Sequence, residues 1–248
     1  MIHELRSKAQ MSARAQRGDK LDAGRVHGRF GSRACVCWVA AIVATALLWG
    51  NCALAGEPKV ILLRGWFGVF STGLDSLADE LKAKGIKAEV AGHLYWTKAV
   101  SEILEDRAAG KTGPIVLVGH SQGANNVIDM ARALGSKNIP VDLVVTLAPF
   151  LQYPVPANVV RAVNYYQSPG WGAPLKGDTG FHGTIANNEL SGEWTITHVN
   201  IDKSSKVQAD ILHEIEALTQ AKAAEEAAAA RPAAAARPRP SERKLAPN

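Results

Sequence analysis

Three short apolar runs without alternation, KVILLR at 59–64, PIVLVG at 114–119 and VDLVVTL at 141–147, constrain this chain more than any other feature. A strand with one wet face alternates apolar and polar side chains. A continuous run must be covered on both faces, as in a parallel sheet between two helical layers. Between these runs the apolar spacing changes to that of helices. Leu74, Leu77 and Leu81 share one face of a helix that Ser71 or Thr72 can cap and Gly85 stops. Val100, Ile103, Leu104 and Ala108 do the same over 97–109, and a third helix is expected over 122–134 before Gly135. Further strands are expected at 86–91, 159–166 and 194–201. A last helix over 204–219 would turn Val207, Ile211, Ile215 and Leu218 inward. The expected fold is α/β: a three-layer α/β/α sandwich around a mainly parallel sheet of about six strands.

The two ends of the chain are of a different kind. Of 28 Lys+Arg and 23 Asp+Glu, residues 1–33 hold eight basic and three acidic groups, and residues 220–248 hold six and three. What remains, 34–219, has 14 basic and 17 acidic residues, so the basic excess gives no support to a nucleic-acid partner. From Ala34 to Gly56 no charge occurs for 23 positions; the stretch Cys35 to Leu48 is strongly apolar, and Ala53-Leu54-Ala55 follows it as an A-x-A cleavage site. Residues 1–55 are therefore expected to be a signal peptide with a long basic n-region, for export to the periplasm or beyond. If uncleaved, they would be an N-terminal anchor associating the protein with a membrane. Cys35, Cys37 and Cys52 all precede the cut, so the folded unit, 56–219, would rely on its core and not on disulfides. Residues 220–248, rich in Ala, Pro, Lys and Arg, are expected to form a disordered tail.

Gly119-His120-Ser121-Gln122-Gly123 stands between an apolar strand and a helix and fits G-x-S-x-G. In such a turn the serine is exposed at the sheet edge, side chains at the two glycines would strike the neighbouring strand and helix, and the helix N-terminus faces the reacting oxygen. With RGWFGVFS after the first strand and a late histidine in ITHVNID, the chain resembles the α/β-hydrolase superfamily, in particular its small secreted lipase, esterase or thioesterase-like members. The resemblance spans roughly 60–215 and implies a reduced form of that fold with little or no lid. It also implies a serine hydrolase mechanism with Ser121 as nucleophile and a histidine as base.

On the same grounds the oxyanion hole would use the N–H of Gln122 and that of Trp66 or Phe67. Chain order favours His198 as base, with His182 as the rival; His93 sits beside an earlier strand end, His120 is the residue before the serine in the motif, and His213 faces solvent. The acid is less well defined: where relatives often carry Asp-Pro, this sequence has Ala148-Pro149. Asp178 is the first replacement and Glu189 the second; a backbone carbonyl, a water or no acid at all remain open. Asp202 reads as the cap of the last helix, and Asp142 lies at the wrong strand end. A rim of Trp66, Phe67, Trp96 and Trp171 would suit an apolar acyl or aryl group of a small-molecule or lipid ester. No cofactor and no metal site is expected, since the histidines are scattered and no Cys pair follows residue 55. Two other readings stay open: an inactive α/β-hydrolase fold acting as an envelope binding module, and an acyltransferase using the same serine.

Overall fold

The structure, a computed structural model, describes residues 56–230; the leader and all but the first residues of the expected tail lie outside the described residues. Six strands form one all-parallel sheet: β1 (Lys59–Arg64), β2 (Ala88–Gly92), β3 (Ile115–His120), β4 (Val141–Leu147), β5 (Val159–Tyr166) and β6 (Thr184–Glu189). Their order is β2-β1-β3-β4-β5-β6. Among the described residues four α-helices accompany them: α1 (Gly73–Ala83), α2 (Trp96–Ala108), α3 (Gln122–Gly135) and α4 (Ser205–Ala229).

The unalternating runs are buried on both sides. Val60 and Leu62 of β1 pack with Leu74, Leu77 and Leu81 of α1 and with Val207, Ile211 and Ile215 of α4. The intervening Ile61 and Leu63 pack with Ile103 of α2 and Val127, Met130 and Leu134 of α3. Successive side chains thus serve two separate cores, and burying each of these large side chains contributes about 1.5–3 kcal/mol. This is the three-layer α/β/α sandwich with a parallel sheet of six strands that the sequence leads one to expect. Residues 148–158 join β4 to β5 without a helix, so no helical lid arises there.

Four expectations are corrected. The stretch 194–201 forms turns, and the sixth strand is Thr184–Glu189. Asn200 organises the turns: its Oδ1 accepts from the N–H and hydroxyl of Thr197, and its Nδ2 donates to the Thr195 carbonyl. Such local bonds compete with a strand ladder. Second, neither Ser71 nor Thr72 caps α1 through its side chain; the Gly73 N–H donates to Asp202 Oδ2 at 2.7 Å. Third, Asp202 therefore caps α1 and not the last helix, where Ser204 takes that place by accepting from Val207 N–H. Fourth, α4 continues ten residues past the expected end at Thr219, because alanine, lysine and glutamate sustain a helix.

Candidate active site

Ser121 follows β3 and precedes α3 with φ 56° and ψ −121°, a conformation costing about 1–3 kcal/mol in a residue with a Cβ. Its N–H donates to the Leu147 carbonyl of β4 at 2.8 Å, which holds the turn to the sheet. The two flanking glycines are sterically required. A Cβ on Gly119 would lie 2.2 Å from the Gly123 oxygen, and one on Gly123 would lie 2.2 Å from the Leu63 oxygen of β1. Gly65, just after β1, faces the serine: a Cβ there would sit 2.9 Å from Ser121 Cβ.

His198 reaches the serine from the turns that replace the expected last strand. Its Nε2 lies 2.9 Å from Ser121 Oγ; in the neutral tautomer that carries its proton on Nδ1, Nε2 accepts the hydroxyl proton there. That Nδ1 is buried and has no hydrogen-bond partner among the described residues. Burial, and secondarily the charge of His120, lower the pKa of His198 from 6.5 to about 4. No carboxylate opposes these effects. The indole of Trp171 lies against the other side of the ring, stacked at 4.0 Å between centroids and 30° between planes. Trp171 is itself held by paired backbone bonds with Gln167, 2.9 Å each way, while Gln167 Nε2 donates to the Ile196 carbonyl near the histidine.

Neither expected acid meets His198. Asp178 pairs with Arg132 at 2.8 Å, near the C-terminal end of α3 and thus at the amino edge of the sheet. The guanidinium holds its carboxyl below the usual range. The reason is the missed strand: the chain leaves β5 at the carboxyl edge and crosses back before starting β6 at Thr184, and Asp178 falls late in that crossing. Glu189 ends β6 at the correct edge but is exposed and bonds to Ser191 Oγ at 3.0 Å. Ala148 is fully buried and offers only a methyl group. Asp202 is buried, but it serves Gly73.

The other histidines are placed elsewhere or otherwise engaged. His182 is exposed before β6, and His93 opens a short 3-10 turn after β2. His213 faces solvent on α4 as expected. His120 is nearly fully buried under the site. Its Nε2 lies 2.7 Å from the His198 carbonyl, its Nδ1 lies 2.8 Å from Ser71 Oγ, and Ser71 Oγ accepts from the Gly65 N–H at 3.0 Å. Sequence reasoning noticed His120 only as the residue before the nucleophile in the motif and Ser71 only as a possible helix cap. Nothing in the local pattern marks either one.

The first residue of α3, Gln122, has an N–H with no intrahelical acceptor, and that of Trp66 takes no part in the hydrogen bonds of the described residues. Trp66 and Phe150 meet at 5.3 Å between ring centroids, both about half exposed, and Phe67 is 85% exposed. Trp96, expected at the rim, packs instead against the core on the α2 side. Among the described residues no group of three His, Cys, Asp or Glu could hold a metal ion, and no helix is long and apolar enough to cross a membrane.

No protein-family model and no curated protein matches the chain. Among solved structures it is similar to human thioesterase 2, at 11% identity and a TM-score of 0.44, over 67% of this chain and 97% of that one. The RedJ thioesterase of the prodiginine pathway in Streptomyces coelicolor gives 9% identity and 0.42, over 67% and 94%. A Trichoderma reesei cutinase in complex with a phosphonate inhibitor gives 16% and 0.27, over 81% and 90%. At these scores the likeness adds no argument. The fold rests on the strand order and on the helices that cover both faces of the sheet.

Proposed function

We propose that this protein is a serine hydrolase that cleaves carboxylic esters or thioesters through an acyl intermediate on Ser121. The observation that carries the reading is the 2.9 Å contact between Ser121 Oγ and His198 Nε2 at a strained strand-to-helix turn. Ser121 Oγ attacks the acyl carbonyl while His198 Nε2 takes its proton. The oxyanion is met by the N–H of Gln122 and by that of Trp66 or Phe67, and the proton passes from Nε2 to the departing alcohol or thiol. Water then repeats the sequence against the acyl-serine, with His198 again as base, and releases the carboxylic acid. The exposed aromatic side chains of Trp66, Phe67, Phe150 and Trp171 suit an apolar acyl or aryl group, including a lipid ester.

The proposed location is outside the cytoplasm, from the basic n-region, apolar stretch and A-x-A site of residues 1–55; retention of that segment would tether the enzyme to a membrane.

A fluorophosphonate probe tests the reading. The wild type is expected to be phosphonylated, with the adduct on the peptide containing Ser121, and Ser121→Ala is expected to take no label. A folded wild type that remains unlabelled contradicts the enzyme and favours the binding-module reading, in which the unpaired Nδ1 of His198 marks an inactive site.

A further inference from the structure

If the site is a hydrolase site, its base lacks the carboxylate that usually fixes an imidazole, yet His198 stands at bonding distance from Ser121. Something else must hold it. Its ring is held by the face of Trp171, and its backbone is held by His120.

The bonding of His120 is determined by its neighbours. The His198 carbonyl can only accept, so Nε2 of His120 must carry the proton that bonds it at 2.7 Å. Nδ1 is then a bare acceptor and takes the Ser71 hydroxyl proton at 2.8 Å, while Ser71 Oγ accepts the Gly65 N–H at 3.0 Å. The sequence Gly65 N–H to Ser71 O–H to His120 to the His198 carbonyl is therefore satisfied with a single direction of donation. Its two side chains are 0% and 2% exposed, so water does not compete for these bonds. One end fixes the turn that carries Trp66; the other fixes the loop that carries the base. The middle is the residue directly before the nucleophile.

We propose that the buried Ser71–His120 pair is the positioning device of this site, taking over from a triad acid by tying the base loop and the oxyanion loop to the backbone of the nucleophile. This rests on the serine hydrolase reading. The pair touches no substrate atom, and its bond to the His198 carbonyl acts on the base loop alone, so breaking that bond should misplace the base while Ser71 still holds the turn that carries Trp66.

The test compares His120→Asn, His120→Gln and Ser71→Ala in ester turnover and in the rate of fluorophosphonate labelling, with thermal unfolding of each. An asparagine can accept from Ser71 in place of Nδ1 but cannot reach the His198 carbonyl, whereas a glutamine amide nitrogen replaces Nε2 and can. His120→Asn is expected to lose about 10- to 100-fold in kcat at an unchanged KM, the scale of a misplaced reacting group. His120→Gln is expected to recover most of that loss, and Ser71→Ala to fall between them. Wild-type kcat in His120→Asn overturns the proposal, as does an equal loss in the Asn and Gln variants, which would mark a packing effect. If His120→Asn does not fold, wild-type kcat in Ser71→Ala overturns it. A wild type inert to both ester and probe removes the underlying reading, and this inference with it; a labelled wild type with unaffected variants removes this inference alone.

Discussion

Replacing His198 by alanine is expected to lower kcat for ester hydrolysis about 10²- to 10⁴-fold, the usual contribution of a positioned general base. The hydroxyl of Ser121 is a weak nucleophile at neutral pH, and the imidazole at 2.9 Å is the group placed to take its proton. The loss should be smaller than in an enzyme with a complete triad. With Nδ1 unpartnered, the imidazolium formed in the transition state gains no carboxylate partner to lose. On the proposed reading the aromatic rim binds the substrate, so KM should change little and the loss should appear in kcat. In the same assay Asp178→Asn should leave turnover unchanged, because its carboxylate is engaged with Arg132 at the other edge of the sheet. A His198→Ala enzyme with near wild-type kcat would mean that another base operates.

The second large effect is steric. A methyl group added at Gly123 would lie 2.2 Å from the Leu63 oxygen and 2.8 Å from the Arg64 oxygen, both backbone atoms of the interior strand β1. Neither can rotate away as a side chain could, so α3 or β1 must shift. Gly123→Ala should therefore destabilise the fold by about 3 kcal/mol or more, which lowers Tm by roughly 6–12 °C in a domain of this size. The shift also displaces Ser121, so activity should fall even below the new Tm. Gly92→Ala supplies the contrast, since a Cβ there meets nothing within 4 Å. Equal melting temperatures for the two variants would show that the close packing of the turn against β1 is not what holds it.

The same geometry explains what could be read from the sequence. β1, β3 and β4 were legible because strands covered on both faces need unbroken apolar runs, and helix periodicity then fixed the layers. Ser121 was legible because its turn admits only glycine at 119 and 123. β6 was not, since TIANNE lies at the sheet edge, where polar and half-exposed side chains are tolerated. The alternation in WTITHVNI resembled a strand more closely, yet Asn200 folds that stretch into turns. Missing β6 put Asp178 at the wrong end of the sheet. His198 was still reached, because a turn after the last strand brings it to the same edge. Its supports were invisible: Trp171 acts through a ring face, and His120 acts through a backbone carbonyl 78 residues away.

The pH dependence of phosphonylation tests most directly whether Ser121 is activated by a histidine that has no carboxylate partner. The reactive form of His198 is neutral, and burial together with the His120 charge lowers its pKa to about 4, so the neutral base persists as pH falls through 6.5. Folding follows the opposite trend. Both His198 and His120 bind protons less readily folded than unfolded, so stability declines as pH drops below about 6.5, and circular dichroism must confirm a folded protein at each point. The predicted result is a labelling rate on Ser121 that holds nearly constant down to pH 5 and falls with a midpoint near 4 while the protein remains folded. A midpoint at 6.5 or above would contradict the account, because it would mean that the burial of the ring is offset, as a carboxylate or an equivalent anion at Nδ1 would offset it.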